Sequence, residues 1–534
     1  MKSVKPALDL LAQNPLLLLF VVAAIGFPLG QVRVRGVSLG VAAVLFVALI
    51  FGALDPRLKL PEIILQLGLA LFVYTVGLAS GPGFFAGFRH RGLKASIVGL
   101  VVLSLAVLVA IGVQVWLSLP SMTVAGGFAG ALSTTPALAA LMHADYGKLA
   151  GDAVVGYSIA YPLGVIVPIT SMVLFLKFVK PGRADEIEAK QHQDVMLKTV
   201  LVKNPGFTPH KIRENHHVLF GRMRQDGKIF LPSSNTALKV GDELTLVGYR
   251  EALEEVAALL GEILPYDLTD DRGKIDFRRV FVSNSDIVGI PLRDLSLPKR
   301  FGAIITRVRR GDLDFLPNGD TLLQPGDRVR VVAERSQMDA IAKFFGDSYK
   351  ALSEIDVLSF SLGIGLGLLI GMIPIPLPGG INASLGLAGG PLLVALILGA
   401  LHRTGPIVWE LPYSANLTLR QVGLVLFFTC VGTRSGYAFF ETVKSPVGLK
   451  MLLAFGLITL TGSLMFLVLG QRWLKVSRAT MIGMLSALHT QPAALAFAQT
   501  RASGEQVNVG YATIFPVCSI AKIILAQVLL QVMH

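Results

Sequence analysis

The sequence predicts a polytopic α-helical membrane protein. It is read as two inverted repeats, each of about five transmembrane helices plus a broken or re-entrant helix, with two small α+β domains inserted between them. Three observations predict this. Of the 534 residues, 53% are hydrophobic and 16% charged, with a mean hydropathy of +0.64, whereas a soluble domain carries roughly 25% charged residues. Apolar runs near the ~20 residues that cross a bilayer fill both ends of the chain and are missing from its middle. The two ends also repeat one another in motif order. Composition alone excludes an ordinary soluble enzyme and a disordered chain.

Taken in order, the apolar segments run over 16–30, 37–54, 63–80, 95–117, 122–143 and 150–177, and then over 357–375, 385–401, 418–435, 449–470, 479–499 and 508–532. They place the membrane repeats in 1–180 and 351–534. No small-residue cleavage site follows the first segment, so no removable signal peptide is expected. Between the halves, 181–350 alternates strand-like and helix-like stretches with Gly-Asp and Pro-Asn turn signals. This insert is itself duplicated. Arg222-Met-Arg224 recurs as Arg307-Val-Arg309, Phe230-Leu-Pro232 as Phe315-Leu-Pro317, and Leu238-Lys-Val-Gly-Asp242 as Leu323-Gln-Pro-Gly-Asp327. Each Gly-Asp turn precedes a strand-like and then a helix-like stretch, which gives tandem α+β domains over 190–265 and 275–350.

The membrane halves match more extensively. Val47-Ala-Leu-Ile-Phe-Gly-Ala-Leu54 recurs as Val394-Ala-Leu-Ile-Leu-Gly-Ala-Leu401. Gln66, Gly68, Val76, Gly77 and Gly81 recur as Gln421, Gly423, Val431, Gly432 and Gly436. Ser133-Thr-Thr-Pro-Ala137 corresponds to His489-Thr-Gln-Pro-Ala493, and Val155-Gly-Tyr157 with Pro162 to Val509-Gly-Tyr511 with Pro516. Such a duplicated unit is characteristic of secondary transporters.

Charge bears on both topology and partners. The net charge is +13, but 181–350 holds nearly equal numbers of basic and acidic residues, so the excess sits beside the lipid spans. That argues against nucleic-acid binding and fits the positive-inside bias. Six crossings per half make the repeats parallel; five crossings plus a re-entrant hairpin make them inverted. Treating the glycine-rich Ser133–Pro136 break and its partner near Pro492 as hairpins puts most Arg and Lys clusters on the cytoplasmic side. Arg434, Lys444 and Lys450 are the exceptions. Both termini are then periplasmic, with 181–350 cytoplasmic.

Ionisable groups within a bilayer cost roughly 3 kcal/mol each unless satisfied. Lys522, near the centre of the last span, is the clearest case. It reads either as a structural lysine bonded to the backbone carbonyls of a broken helix or as a cation facing an anion. Arg434 takes the place of Ala79 in the other repeat and reads either as an interfacial arginine or as part of the site. Acidic residues are nearly absent at this depth, whereas a cation exchanger needs an embedded carboxylate, so the transported species is expected to be an anion. Ser133, Thr134 and Thr135 offer hydroxyls, and His489, Thr490 and Gln491 offer a ring nitrogen, a hydroxyl and an amide. Pro136 and Pro492 leave carbonyls unpaired. Tyr161 follows in the next span and is read as packing or as ligand. These residues form the candidate substrate site. No CxxC, His-rich tract or HExxH supports a metal or redox enzyme, and no nucleophile–base pair supports enzymatic activity.

At the 130–138 and 486–495 breaks and the repeated Gln-x-Gly-Leu…Val-Gly unit, the chain resembles the aspartate:alanine exchanger family over essentially its whole length. The insert resembles the C-terminal domain of regulators of potassium conductance, the TrkA-C domain. The resemblance implies a bacterial inner-membrane antiporter of small carboxylates or acidic amino acids. It also implies an elevator-type core moving against a dimeric scaffold, and a small regulatory ligand or nucleotide on the cytosolic domains. No cofactor is expected for transport. The alternative is a potassium or other cation channel or exchanger regulated by the insert, against which stand the missing Thr-Val-Gly-Tyr-Gly filter and the missing deep carboxylate.

Overall fold

A computed structural model of the chain describes residues 5–32, 40–87, 92–134, 137–138, 141, 150–182, 184–186, 195–216, 218–233, 236–271, 273–311, 313–350, 354–377, 381–383, 385–502 and 504–533. The chain divides into two compact units: Met1–Ile187 with Phe360–Leu401 and Leu417–His534, and Glu188–Ser359 with His402–Asn416.

The first unit is helical: α1 (Lys5–Gln13), α2 (Pro15–Gln31), α3 (Ala43–Leu54), α4 (Glu62–Gly87), α5 (Leu93–Leu117), α6 (Ser121–Ala131) and α7 (Ala150–Phe178), then α8 (Val357–Met372), α9 (Gly386–Leu401), α10 (Tyr413–Val443), α11 (Pro446–Trp473), α12 (Arg478–Leu488), α13 (Pro492–Arg501) and α14 (Gly504–Val532). Helices α4, α5, α7, α10, α11 and α14 each contain a stretch long and apolar enough to cross a bilayer. With the apolar α2, bent 114° from α1, and the shorter apolar α3, α8 and α9, each repeat has five apolar helices outside its break.

Two sets of glycine contacts fix the direction of the rest. A side chain on Gly126 of α6 would strike Ala153 of α7, one on Gly130 would strike Tyr157, and Gly164 lies against Ser133. Residue numbers rise together, so α6 and α7 run parallel. In the second repeat Gly483 of α12 meets Val507 of α14, and Leu488 meets Lys522, again in parallel, so α13 returns between them. With each break re-entrant, an odd number of apolar helices remains per repeat, as two inverted repeats require.

The repeats interlock through equivalent glycines. Gly77 of α4 lies on Ala395 and Leu392 of α9, and its counterpart Gly432 of α10 lies on Ala48 and Leu45 of α3. Gly68 and Gly423 face each other where α4 crosses α10. Without a hydrophobic force between helices in lipid, close backbone packing of this kind holds them together.

In the second unit the first α+β domain has a five-stranded antiparallel sheet of order β3-β2-β4-β1-β5, and the second a four-stranded antiparallel sheet of order β6-β9-β7-β8. The strands are β1 (Met196–Val202), β2 (Leu219–Gln225), β3 (Lys228–Phe230), β4 (Glu243–Gly248), β5 (Gly261–Ile263), β6 (Ile275–Phe281), β7 (Ile304–Arg310), β8 (Leu313–Phe315) and β9 (Arg328–Glu334). A helix covers each sheet, Arg250–Leu260 and Met338–Phe345. The Gly-Asp turns explain their recurrence. Gly241 and Gly326 sit at φ 94° and 89°. Asp242 accepts from Lys239 N–H (2.6 Å) and Asp327 from Gln324 N–H (2.9 Å). One boundary differs from the expected 351–534. Segment His402–Asn416 belongs to the second unit, where Arg403 donates to the carbonyl of Asp286 at 3.1 Å and Gln324 to Glu410 at 3.2 Å.

Candidate functional site

Both hairpins break in the same way. α6 ends at Ala131 and α12 at Leu488, each followed by one capping residue, Leu132 or His489. The next residue is left-handed in both, Ser133 at φ 52° and Thr490 at φ 44°. Ser133 N–H donates to Gly130 O (2.9 Å) and Thr134 N–H to Ala129 O (2.8 Å). Thr490 N–H donates to Ala487 O (2.9 Å) and Gln491 N–H to Ser486 O (3.0 Å). These are the paired bonds of a Schellman ending, whose left-handed position usually belongs to Gly. A side chain there costs roughly 1–2 kcal/mol, and in both breaks its hydroxyl makes a bond across to the other hairpin.

This geometry corrects the register read from the prolines. Ser133 is the counterpart of Thr490, not of His489, and Thr134 is the counterpart of Gln491. Pro492 follows Gln491 directly, whereas one residue separates Thr134 from Pro136. Thr135 and Pro136 lie outside the described residues.

The carbonyls that the Schellman endings leave over converge on Lys522. Its Nζ donates to Leu488 O (2.8 Å), Thr490 Oγ1 (2.9 Å) and Leu132 O (3.3 Å). Among the described residues of the membrane unit, Lys522 is the one buried charged side chain. An ammonium has three N–H donors, and these three acceptors occupy them. Both half-helices point their negative dipole ends at it, which stabilises a cation where the described residues offer no carboxylate. The structural reading of Lys522 is thus what the geometry displays, and its charge reaches the surroundings through bonded backbone.

Other bonds join the two breaks. Gln491 Nε2 donates to Ser133 Oγ (2.9 Å), while its Oε1 accepts from Ala493 N–H (3.2 Å) and caps α13. Thr490 Oγ1 lies 3.1 Å from Ser133 O and 3.3 Å from Leu132 O. Tyr161 is fully buried, its phenol beside Gln491. From α11, Ser463 Oγ is 2.9 Å from His489 Nε2, and Thr459 Oγ1 donates to Ala131 O at 3.1 Å.

Beside this junction lies a cavity of about 40 Å³, lined on its polar side by Ser133, Thr134, Thr490, Tyr511 and Ser519, and elsewhere by aromatic and aliphatic groups including Phe72, Phe427 and Pro492. At roughly 10–15 Å³ per water, it holds a few waters and is too small for a four-carbon dicarboxylate. The hairpins are closed on one another.

Of the expected residues, the structure brings Ser133, Thr134, His489, Thr490, Gln491, Pro492, Lys522 and Tyr161 together. Arg434 lies apart. Its side chain is 40% exposed, its guanidinium is 3.6 Å from the Glu62 carboxylate, and it does not line the cavity. Thr459 and Ser463 were missed, although two hydroxyls four residues apart on one face of an apolar span are a readable signal.

Comparison with known proteins adds an independent line. A family described as Predicted Permease Membrane Region, of the aspartate–alanine exchanger type, matches residues 18–177 and 359–531. A TrkA-C domain matches residues 277–346. The chain is 45% identical to an uncharacterized transporter from Geobacter sulfurreducens, over 98% of this chain and 100% of the relative. It is 46% identical to one from Symbiobacterium thermophilum, again over 98% and 100%, and 40% identical to one from Corynebacterium diphtheriae, over 98% and 99%.

Proposed function

Because the chain belongs to the aspartate:alanine exchanger family of transporters, we propose that it is a secondary antiporter of small carboxylates or acidic amino acids, such as aspartate against alanine or a dicarboxylate such as succinate. The observation that carries this reading is the junction of the two hairpins, where a buried ammonium sits among neutral acceptors and no described carboxylate is buried. A site of net positive charge favours an anion; a cation carrier needs the opposite. The hydroxyls of Ser133, Thr134 and Thr490 and the Gln491 amide supply neutral hydrogen bonds. Since the cavity admits only water, substrate entry requires the hairpin-bearing body of α6–α7 and α12–α14 to move against the α4, α9 and α10 walls of the cavity, an elevator-type movement. The protein acts in this reading as a dimer in the bacterial inner membrane, with the α+β domains cytoplasmic.

Reconstitution into liposomes tests the reading. Labelled aspartate or succinate should accumulate only when a counter-substrate such as alanine or unlabelled carboxylate is inside. Rubidium flux without carboxylate uptake would instead establish the cation-channel reading that the TrkA-C domain suggests.

A further inference from the structure

A carboxylate needs hydrogen-bond donors, and the strongest donors at the hairpin junction are already spent inside the protein. All three N–H groups of Lys522 are bonded. The Thr490 hydroxyl donates to Ser133 O and accepts from Lys522, and the Gln491 amide donates to Ser133 Oγ. Tyr511 on α14 differs from these. It is 1% exposed. Among the described residues that line the cavity, it is the one whose buried side-chain oxygen has no hydrogen-bond partner in the protein. A buried O–H left unpaired is destabilising, and native structures keep few of them.

Its place on the helix makes Tyr511 part of a continuous wall. Tyr511, Phe515, Ser519 and Ile523 all line the cavity, and their four-residue spacing puts them on one face of α14. The Phe515 ring centre lies 4.7 Å from that of Tyr511 and holds the phenol in place. The first repeat carries the same tyrosine and uses it differently. Tyr157 is the counterpart of Tyr511, and Tyr161 that of Phe515. The rings of Tyr157 and Tyr161 meet at 5.3 Å, neither lines the cavity, and the Tyr161 phenol lies beside Gln491. The repeats are alike in sequence here, yet among the described residues Tyr511 is the tyrosine on the cavity wall.

We propose that Tyr511 Oη donates a hydrogen bond to the carboxylate of the transported substrate. This rests on the antiporter reading above and adds to it a direct contact, whereas Lys522, with its donors bonded to protein, contributes a field. A phenol is a neutral donor. It recognises a carboxylate without placing a second charge at bilayer depth, where each ionised group is costly. The movement that admits substrate carries α14 against α4, α9 and α10 and so opens this wall. A hydrogen bond to a charged acceptor is stronger than one between neutral groups, so the contact distinguishes a carboxylate from an uncharged analogue of the same shape.

Tyr511→Phe tests this, because it removes one oxygen and leaves the ring and its packing on Phe515. That oxygen has no protein partner, so the melting temperature in detergent should stay the same or rise. In liposomes loaded with counter-substrate, the KM for labelled aspartate or succinate should rise by roughly tenfold or more, as the loss of a hydrogen bond to a charged acceptor implies, with a smaller change in kcat. Tyr74→Phe is the control. Tyr74 on α4 is also fully buried with an unpartnered hydroxyl, but it packs edge-on against Phe360 and does not line the cavity. It should keep the KM of the natural protein. An unchanged KM in Tyr511→Phe, an equal rise in both variants, or a lowered melting temperature in Tyr511→Phe overturns the proposal and leaves carboxylate antiport standing. Absence of carboxylate uptake by the natural protein overturns both.

Discussion

Lys522 joins two helix ends that come from different repeats, so its replacement has two consequences of different kind. Removing the ammonium leaves the Leu132 and Leu488 carbonyls short of a donor, and each unsatisfied buried group costs roughly 1–3 kcal/mol. It also removes the positive charge from the junction. Lys522→Gln retains an amide able to donate, so the protein should insert and fold with a melting temperature a few degrees lower. Carboxylate uptake should fall at least tenfold. Unchanged apparent affinity and rate in Lys522→Gln would sink the assignment of its charge to substrate recognition. Because all three of its donors are bonded to protein, the effect is expected through the field at the breaks and through their shape, which a raised KM would separate from a lowered kcat.

At the scale of elements, small residues decide how hairpin and helix meet. A side chain on Gly156 of α7 would collide with the Thr123 carbonyl of α6, whereas one on Gly112 of α5 meets nothing. Gly156→Ala should therefore lower the melting temperature in detergent, by an overpacking cost of roughly 1–3 kcal/mol, while Gly112→Ala should leave it unchanged or raise it slightly through helix propensity. Equal behaviour of the two variants would contradict the close backbone packing of α6 on α7. Gly510→Ala in α14, which collides with Thr480 of α12, should repeat the Gly156 result, because the repeats are built alike at this contact.

For the whole molecule, inverted repeats of five crossings each predict that both termini lie on the same side of the membrane. Cysteines placed at Ser3 and Met533, in a background with the buried Cys430 and Cys518 replaced, should react with an impermeant thiol reagent applied outside intact cells. Labelling that appears only after permeabilisation would mean that the hairpins cross the bilayer and that the repeats are parallel. The inverted arrangement also sets how the halves hold together. Gly77 and Gly432 occupy equivalent positions and grip equivalent helices of the opposite repeat, so neither half completes its packing alone. Folding of the first repeat is thus coupled to the arrival of the second, more than three hundred residues on.

Period, composition and repetition are local properties, and they determined by themselves the spans, the duplicated halves, the paired small domains and the hydroxyl-rich breaks. The Ser133–Thr134 and Thr490–Gln491 segments stood out because polar residues are costly inside an apolar run, and Lys522 for the same reason. Partners were another matter. Lys522 bonds Leu488 and Leu132, which lie 34 and 390 residues away, and no spacing rule reaches that far. Matching prolines gave a register one residue off, because where a helix ends is fixed by which carbonyls find donors, and those donors come from other helices. Arg434 looked like part of the site from its place in the repeat, yet its helix turns it to Glu62 and away from the breaks. The alternation of charge between Arg224–Glu243 and Arg309–Arg328 was present in the letters, but only the strand register, set by a bulge at the same place in both sheets, makes those residues neighbours. Sequence carries the cost of burying each group; the tertiary structure decides which group offsets it.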